Sequence, residues 1–201
     1  MRKRVLMGLL VVTLFCGAAW AQGIQNRDMS LSAGPSWTQS QTIGGTNVTL
    51  SGSKGWNAQS DFGYQVARAG AVSLMVDVSF LFSNAGGLFA NVPAVGRSDF
   101  SPITAGLRFM VPVHPRLSFY VVPGGGYVSA RSPVLTAGAS PTISTHDTGH
   151  GVFAFGGGAD VRLSKWWSVR AEVRDFVTGK DLAGVTGRHH VAPLFGVALH
   201  F

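Results

Sequence analysis

The residues best suited to metal chemistry are histidines and one aspartate in two polar segments. His146, Asp147 and His150 stand close together in one segment, and His189 and His190 in the other. Imidazole nitrogens and carboxylate oxygens are ligands for zinc or copper. Both segments have the composition of loops, however, and their spacing does not suit a metal site. We therefore expect solvated loop residues, with no bound metal and no cofactor.

Two glycine triplets suggest phosphate binding at first sight. They occupy residues 124–126 and 156–158. Neither is followed by the Gly-Lys-Ser/Thr sequence that cradles phosphate, and both lie in extended segments rather than before a helix. Glycine in a strand relieves crowding and permits bending, so we expect a structural role. If Ser129 faces roughly Gly151 across the connection, the triplets lie side by side.

The remaining chemistry lies in charged side chains that alternate with apolar ones. Seven of them share the polar faces of extended segments; they are Asp77, Arg108, Asp160, Arg162, Arg170, Glu172 and Arg174. Buried charges are costly unless they are paired, so their role depends on the elements that position them.

The composition indicates one hydrophobic domain. The chain has 201 residues, of which 46% are hydrophobic and 12% charged, and its mean hydropathy is +0.25. Yet no stretch beyond residue 22 has 18 uninterrupted apolar residues, which argues against membrane-spanning helices. Low charge and 10% aromatic residues exclude a disordered chain, and a single Cys excludes a disulfide framework.

The first 21 residues have the three parts of a secretory signal peptide. A basic start precedes an apolar core over residues 5–15, and Ala19 and Ala21 supply the small residues before a cut after Ala21. We predict a signal peptide over 1–21 and one domain over 22–201. Removing the three bases of the signal lowers the net charge from +7 to +4, so basicity gives no support for nucleic-acid binding.

Period-2 alternation of apolar and polar residues predicts eight strands. The clearest case sets Val76, Val78 and Phe80 against Asp77 and Ser79. The predicted strands cover residues 28–38, 56–67, 72–82, 103–111, 117–129, 151–163, 167–174 and 190–201.

The connections between these strands alternate in length. The long ones cover residues 39–55, 83–98, 130–150 and 178–189, and the short ones 68–71, 112–116 and 164–166. Long loops at one end and tight turns at the other predict an antiparallel up-and-down barrel with both termini at the turn end. Strands of about 11 residues or more suit a tilted crossing of a membrane.

A soluble eight-stranded calyx has the same alternation with the faces exchanged, apolar inside and polar outside. Three features favour the membrane: long strands, little charge even on the polar face, and four tryptophans at predicted strand ends. Aromatic residues at such positions form girdles at membrane interfaces. The tryptophans are Trp37, Trp56, Trp166 and Trp167.

The whole of residues 22–201 resembles the small bacterial outer-membrane barrels of the OmpA/OmpX/opacity-protein type. The chain ends like them, with Gly196, Leu199 and Phe201 at the positions of their insertion signal, although Leu194 stands where a polar residue is expected. The resemblance implies a location in the bacterial outer membrane. It also implies contact with lipid and lipopolysaccharide, insertion by the barrel-assembly machinery, and a monomer.

Three function classes remain open. The first is a non-enzymatic barrel with a structural or surface role, or a narrow, porin-like passive pore with a largely side-chain-filled lumen. The second is adhesion or ligand recognition through the four long loops. The third is an enzyme, because Ser83-Asn84 resembles part of the His-x-Ser-Asn motif of outer-membrane lipid A deacylases. Leu81 replaces the histidine base, and without a base the hydroxyl is not activated, so we predict no enzymatic activity.

A barrel of eight strands leaves a lumen just wide enough for side chains. The seven charged residues are therefore expected to point inward as one ionic network. Asp77, on the third predicted strand, lies opposite the seventh and can reach its arginines. Four bases against three acids leave one arginine for water or a backbone carbonyl.

Overall fold

A computed structural model of the chain describes residues 26–42, 49–50, 54–85, 98–136, 142–178 and 188–201. The predicted signal peptide lies outside these residues and stays a prediction. Within the described ranges no helix is long and apolar enough to cross a membrane. The strands are β1 (Arg27–Thr38), β2 (Gln41–Thr42), β3 (Thr49–Leu50), β4 (Lys54–Ala69), β5 (Val72–Ala85), β6 (Ser98–His114), β7 (Leu117–Thr136), β8 (Thr142–Arg162), β9 (Trp167–Thr178) and β10 (Arg188–His200).

Eight of these strands form a closed antiparallel barrel in the order β1-β10-β9-β8-β7-β6-β5-β4, while β2 and β3 pair separately. Closure joins the first strand to the last, so the sheet has no unpaired edge. At the turn end of this seam, Arg27 and Phe201 exchange two backbone hydrogen bonds of 3.0 Å. The predicted eight-stranded up-and-down barrel is confirmed.

Side chains alternate between lipid-facing and lumen-facing positions along the barrel strands. On β5 the Val78 side chain is 42% exposed, whereas its neighbour Asp77 is 1% exposed. The same alternation of buried and exposed residues runs along β9. Apolar side chains therefore cover the outside and polar ones fill the inside, which is the membrane-barrel arrangement and not that of a soluble calyx.

The third long connection is shorter than predicted. Residues 130–150 were expected to form a loop, but β7 continues to Thr136 and β8 begins at Thr142, with these two residues paired. The expected loop contains His146, Asp147 and His150, which therefore lie on a strand. Beyond the membrane a strand needs no apolar face, so pairing there leaves no alternation in the sequence.

The pairing of β7 with β8 also differs from the prediction. Ser129 pairs with Gly149 rather than Gly151, which is a shift of two residues. Residues 124–126 consequently face 152–154, and the two glycine triplets are offset along the wall instead of side by side. Hairpin length sets such a register, and the length of this hairpin is not readable from its polar sequence.

The four tryptophans lie at the two ends of the barrel. Trp37 on β1 and Trp56 on β4 are near the loop end, and Trp166 and Trp167 are at the bend before β9. Each side chain is about half exposed on the outer surface. These are the positions that two aromatic girdles require, and their contact with the membrane interface stays a prediction.

The predicted insertion signal lies at the seam of the barrel. Gly196 and Leu199 belong to β10 and pair with Ser32 and Met29 of β1, and Phe201 follows the strand. Recognition of these residues by an assembly machinery stays a prediction.

We predict that an arginine on the lipid face destabilises the barrel according to its depth. Val78→Arg, near the middle of β5, should lower the free energy of unfolding by about 2–4 kcal/mol. Val113→Arg, one residue before the turn-end terminus of β6, should lower it by about 0–1 kcal/mol. Urea titration of the refolded protein in lipid vesicles measures both values. Equal losses for the two variants would contradict the lipid-facing assignment of Val78.

Candidate functional site in the barrel lumen

Three buried arginines and five buried carboxylates fill the middle of the lumen, and we call this set the ionic layer. Among the described residues its members are Arg108, Arg170, Arg174, Asp28, Asp61, Asp77, Asp160 and Glu172. None of these residues is more than 5% exposed. The alternation of the strands places them all on the lumen face.

Asp28 on β1 is shared by two arginines from strands that are far from β1 along the chain. Arg108 on β6 approaches it through Nη1 at 2.7 Å and 2.9 Å, and Arg170 on β9 through Nη2 at 2.9 Å. Arg108 also donates to Asp77 on β5, and Arg170 donates to Asp160 on β8 through Nε at 3.1 Å and Nη2 at 2.9 Å. One carboxylate thus joins two guanidinium groups that would otherwise repel each other.

Arg174 crosses the lumen. From β9 it reaches Asp77 on the opposite strand β5 at 3.0 Å and Asp61 on β4 at 3.2 Å. It also donates to Glu172 on its own strand and to the Ser79 hydroxyl. Arg174 therefore connects one wall of the barrel to the other.

Tyr120 on β7 completes the layer. Its hydroxyl donates to Glu172 at 2.6 Å. The guanidinium carbons of Arg108 and Arg170 lie 5.3 and 5.4 Å from its ring centroid, within the range of a cation–π interaction. The layer consequently includes residues from β1, β4, β5, β6, β7, β8 and β9.

Six of the seven charged residues predicted for the lumen lie in the ionic layer, and Arg162 does not. It shares the face of Asp160 but is the last residue of β8, so its side chain is exposed at the turn end. Strand alternation gives the face of a residue and not its depth along the barrel.

The prediction missed two members of the layer, Asp28 and Asp61, although the sequence carried a signal for both. Asp61 alternates in step with Gln59, so both lie on the polar face of the strand, whereas Phe62 and Tyr64 lie on the other face. Asp28 directly precedes the apolar Met29, which places Asp28 on the polar face. With them the described lumen has more buried carboxylates than arginines, so the expected surplus arginine is wrong.

Neutral donors compensate for the surplus of carboxylates. Asp61 accepts hydrogen bonds from Ser30 and Ser79 at 2.8 Å and from Gln59 at 2.8 Å and 3.1 Å. Together with Tyr120 on Glu172, these donors supply the hydrogen bonds that a buried carboxylate needs.

Two glycines leave room for the ionic layer. A Cβ on Gly63 would lie 3.2 Å from Nη1 of Arg108 and would also strike Asp28. A Cβ on Gly158 would lie 2.7 Å from the Tyr120 hydroxyl and would strike the wall of β9. The second triplet therefore serves packing, as a structural role for glycine implies.

An apolar layer closes the lumen on the loop side of the ionic layer. The rings of Phe100 and Phe176 lie 6.1 Å apart at 72°, and Phe100 stacks on His190 at 4.2 Å. The buried members of the apolar layer are Leu81, Phe100, Val128, Val152, Ala154, Phe176, Ala192 and Leu194.

A cavity of about 260 Å³ opens at the turn end of the lumen. Asp28 and Asp160 of the ionic layer contribute to its lining, together with basic residues of the turns. We call it the turn-end cavity.

Among the described side chains, the residues weighed for metal or nucleophilic chemistry are not assembled into a site, and the side chains of His146 and Asp147 lie outside that description. In the part of the chain that the structure describes, no group of three His, Cys, Asp or Glu residues is placed to hold a metal. His189 is exposed and lies 2.5 Å from Asp175, while His190 stacks on Phe100. Ser83 is buried on the lumen face, away from lipid.

Comparison with known proteins identifies the type of barrel. The family model described as outer membrane protein beta-barrel domain matches residues 7–193. Neisserial surface protein A is 15% identical with a TM-score of 0.57, over 90% of this chain and 100% of that one. Ail, the attachment invasion locus protein of Yersinia pestis, is 14% identical with a TM-score of 0.50, over 87% and 98%. No curated protein matches the sequence.

We predict that the ionic layer stabilises the barrel only while its carboxylates are paired. Arg108→Met leaves Asp28 and Asp77 short of a partner and should lower the free energy of unfolding by about 3–5 kcal/mol. Arg162→Met removes the same charge from an exposed site and should change it by less than about 0.5 kcal/mol. Adding Asp77→Asn to Arg108→Met should recover part of the loss. Denaturant titrations of the refolded variants test this, and similar small losses for both single variants would contradict it.

Proposed function

The chain belongs to the outer membrane protein beta-barrel domain family, and on that premise we propose that it is a non-enzymatic barrel of the bacterial outer membrane with a sealed lumen. Its role is then structural or is exercised at its two surfaces. The observation that carries this proposal is the filling of the lumen by two layers in series. A solute entering from either end meets both.

The two layers oppose the passage of ions for different physical reasons. In the ionic layer each guanidinium is already bound to carboxylates, so an ion can pass only by displacing an internal partner. In the apolar layer an ion would lose its water without gaining a ligand. Since an eight-stranded lumen is only wide enough for side chains, no wider route exists beside them.

The orientation that fits this role places the turns in the periplasm and the long connections outside the cell. It follows the pattern of short periplasmic turns and longer external loops in such barrels. Both chain termini of the barrel then lie on the periplasmic side.

We propose that Ser83 has no catalytic role. Its side chain is 4% exposed and faces the lumen, whereas a lipid-modifying enzyme needs its nucleophile where an acyl chain can reach. Leu81, two residues earlier on the same face, is also buried and supplies no base.

Because the layers act in series, opening one of them should not open the lumen. We expect no stepwise conductance from the wild-type barrel in planar bilayers, and rare openings at most from Arg174→Ala or Phe176→Ala alone. The double variant should conduct far more than the sum of the single variants. Arg162→Ala, which changes neither layer, is the control. A heat-modifiable gel shift establishes that each variant is folded.

Steady wild-type conductance would overturn the sealed lumen. So would a single variant that conducts as well as the double one, because it would leave the second layer without a sealing role.

A second candidate function, recognition at the cell surface, is favoured by the hairpin of β7 and β8. Pairing of β8 with β9 ends at Val152 and Thr178, while its pairing with β7 continues to Thr142. Residues 142–151 therefore extend beyond the described end of β9 by about 30 Å, at roughly 3.3 Å per strand residue. Within the described residues this outer part of the ladder has an edge with no paired strand, which another protein can use for pairing.

Replacing residues 132–146 by an Asn-Gly turn should test this candidate without disturbing the barrel. We expect an unchanged heat-modifiable shift and a loss of binding of cells expressing the protein to cultured host cells or extracellular matrix. The matched control replaces the exposed turn residues Pro115 and Arg116 by Asn-Gly at the opposite end of the barrel. Binding that survives removal of the hairpin would exclude the hairpin as the recognition element.

A further inference from the structure

The turn-end cavity is lined by basic side chains. They are four arginines and two histidines: Arg27, Arg68, Arg116, Arg162, His114 and His200, of which His200 also lies 3.9 Å from Asp160 of the ionic layer. From this arrangement we propose that the turn-end cavity binds an anion carrying phosphate groups. The ligand class is a phosphate ester or pyrophosphate, from a phospholipid headgroup or in free form.

Within the described residues, the four arginines of the cavity have no carboxylate partner. No carboxylate oxygen lies within 4.0 Å of them there, while Arg68 donates to the carbonyl oxygen of Gly70 at 3.4 Å and Arg27 lies over the Tyr64 ring at 5.5 Å. This contrasts with the arginines of the ionic layer, each of which binds two or more carboxylates. The cavity is therefore a concentration of unpaired positive charge.

The acidic floor of the cavity does not cancel this charge. Asp28 is held by Arg108 and Arg170, and Asp160 is held by Arg170 at 2.9 Å. Each of these carboxylates therefore has a guanidinium partner on the lumen side. The four arginines that line the cavity outnumber the two carboxylates of its floor, so the charged lining is positive as a whole.

Guanidinium groups suit phosphate because their planar forks donate two parallel hydrogen bonds to its oxygens. Arginines near three different turns line one cavity. Arg68 lies just before the first turn, Arg116 lies in the second turn, and Arg162 is the last residue before the third turn. Pyrophosphate offers enough oxygens to engage more than one of them. A cavity of about 260 Å³ admits such an ion.

The cavity lies at a depth that both a lipid headgroup and a soluble phosphate can reach. Arg162 pairs with Ser168 next to Trp167, in the turn-end group of tryptophans. Tryptophans at such positions lie at the depth of lipid headgroups. A headgroup phosphate can therefore reach over the rim, and a soluble phosphate can enter from the aqueous side.

The test uses the complete mature barrel, refolded in an uncharged maltoside detergent, with inorganic pyrophosphate as the probe. Calorimetric titration at low salt should show saturable binding by the wild-type protein that weakens as salt is added. Arg116→Gln/Arg162→Gln should weaken it by about tenfold or more, which corresponds to the loss of charge-assisted hydrogen bonds.

A matched pair of single variants separates a built site from general surface charge. Arg162→Gln and Lys165→Gln each remove one exposed positive charge, three residues apart, but Lys165 lies over the Trp166 ring at 5.1 Å and does not line the cavity. We expect a loss of several-fold for Arg162→Gln and less than about twofold for Lys165→Gln. A heat-modifiable gel shift verifies folding of each variant.

A lipid arm identifies the source of the phosphate. Native mass spectrometry of the barrel with added phosphatidylglycerol should show lipid that excess pyrophosphate displaces and the double variant fails to retain, if the headgroup is the ligand. Equal lipid retention by wild type and double variant, together with pyrophosphate binding, would indicate the free anion.

Absence of saturable pyrophosphate binding by the wild-type protein would overturn the proposal, as would equal losses for Arg162→Gln and Lys165→Gln. Neither result bears on the sealed lumen, which the conductance measurements test separately.

Discussion

The structure depends on the sharing of Asp28 between Arg108 and Arg170. A buried guanidinium is stable only when carboxylates surround it, and these two would repel each other without the carboxylate between them. The three residues come from β1, β6 and β9, which are far apart in the chain and are not neighbours in the barrel. The interaction can therefore form fully only in the closed barrel, so it favours closure in the observed register over other pairings.

The ionic layer is balanced by hydrogen bonds rather than by formal charge. A guanidinium has five N–H donors, so one arginine can serve two or three carboxylates. Arg174 does so for Asp61, Asp77 and Glu172, while hydroxyl donors complete the shell. This explains how the ionic layer holds more carboxylates than arginines, once Asp28 and Asp61 are included and Arg162 is placed at the rim. The relevant quantity is the number of donors that reach each carboxylate oxygen.

Most of the fold was predictable from the sequence because lipid on one side and a packed lumen on the other impose a strict alternation. That constraint acts on both faces of β5, β9 and β10, and it placed Asp77, Glu172 and Arg174 correctly inside. It does not act outside the membrane, so the outer half of the β7–β8 hairpin was mistaken for a loop. Nor does it specify depth, so Arg162 was assigned to the network rather than to the rim. Partners across the lumen depend on register, which the alternation leaves open in steps of two residues.

The two ends of the lumen differ in chemistry: the loop side has apolar side chains and the turn end has basic ones. Towards the loops, Phe100 and Phe176 close the lumen with side chains that offer an ion no ligand. Towards the turns, the arginines of the turn-end cavity have no carboxylate partner among the described residues, and they lie above carboxylates that are bound to Arg108 and Arg170. Most polar groups in the ionic layer are hydrogen-bonded to one another. This is why both recognition sites that we propose lie at the ends of the barrel, the projecting hairpin at one end and the basic cavity at the other, while the ionic layer connects the strands in the middle.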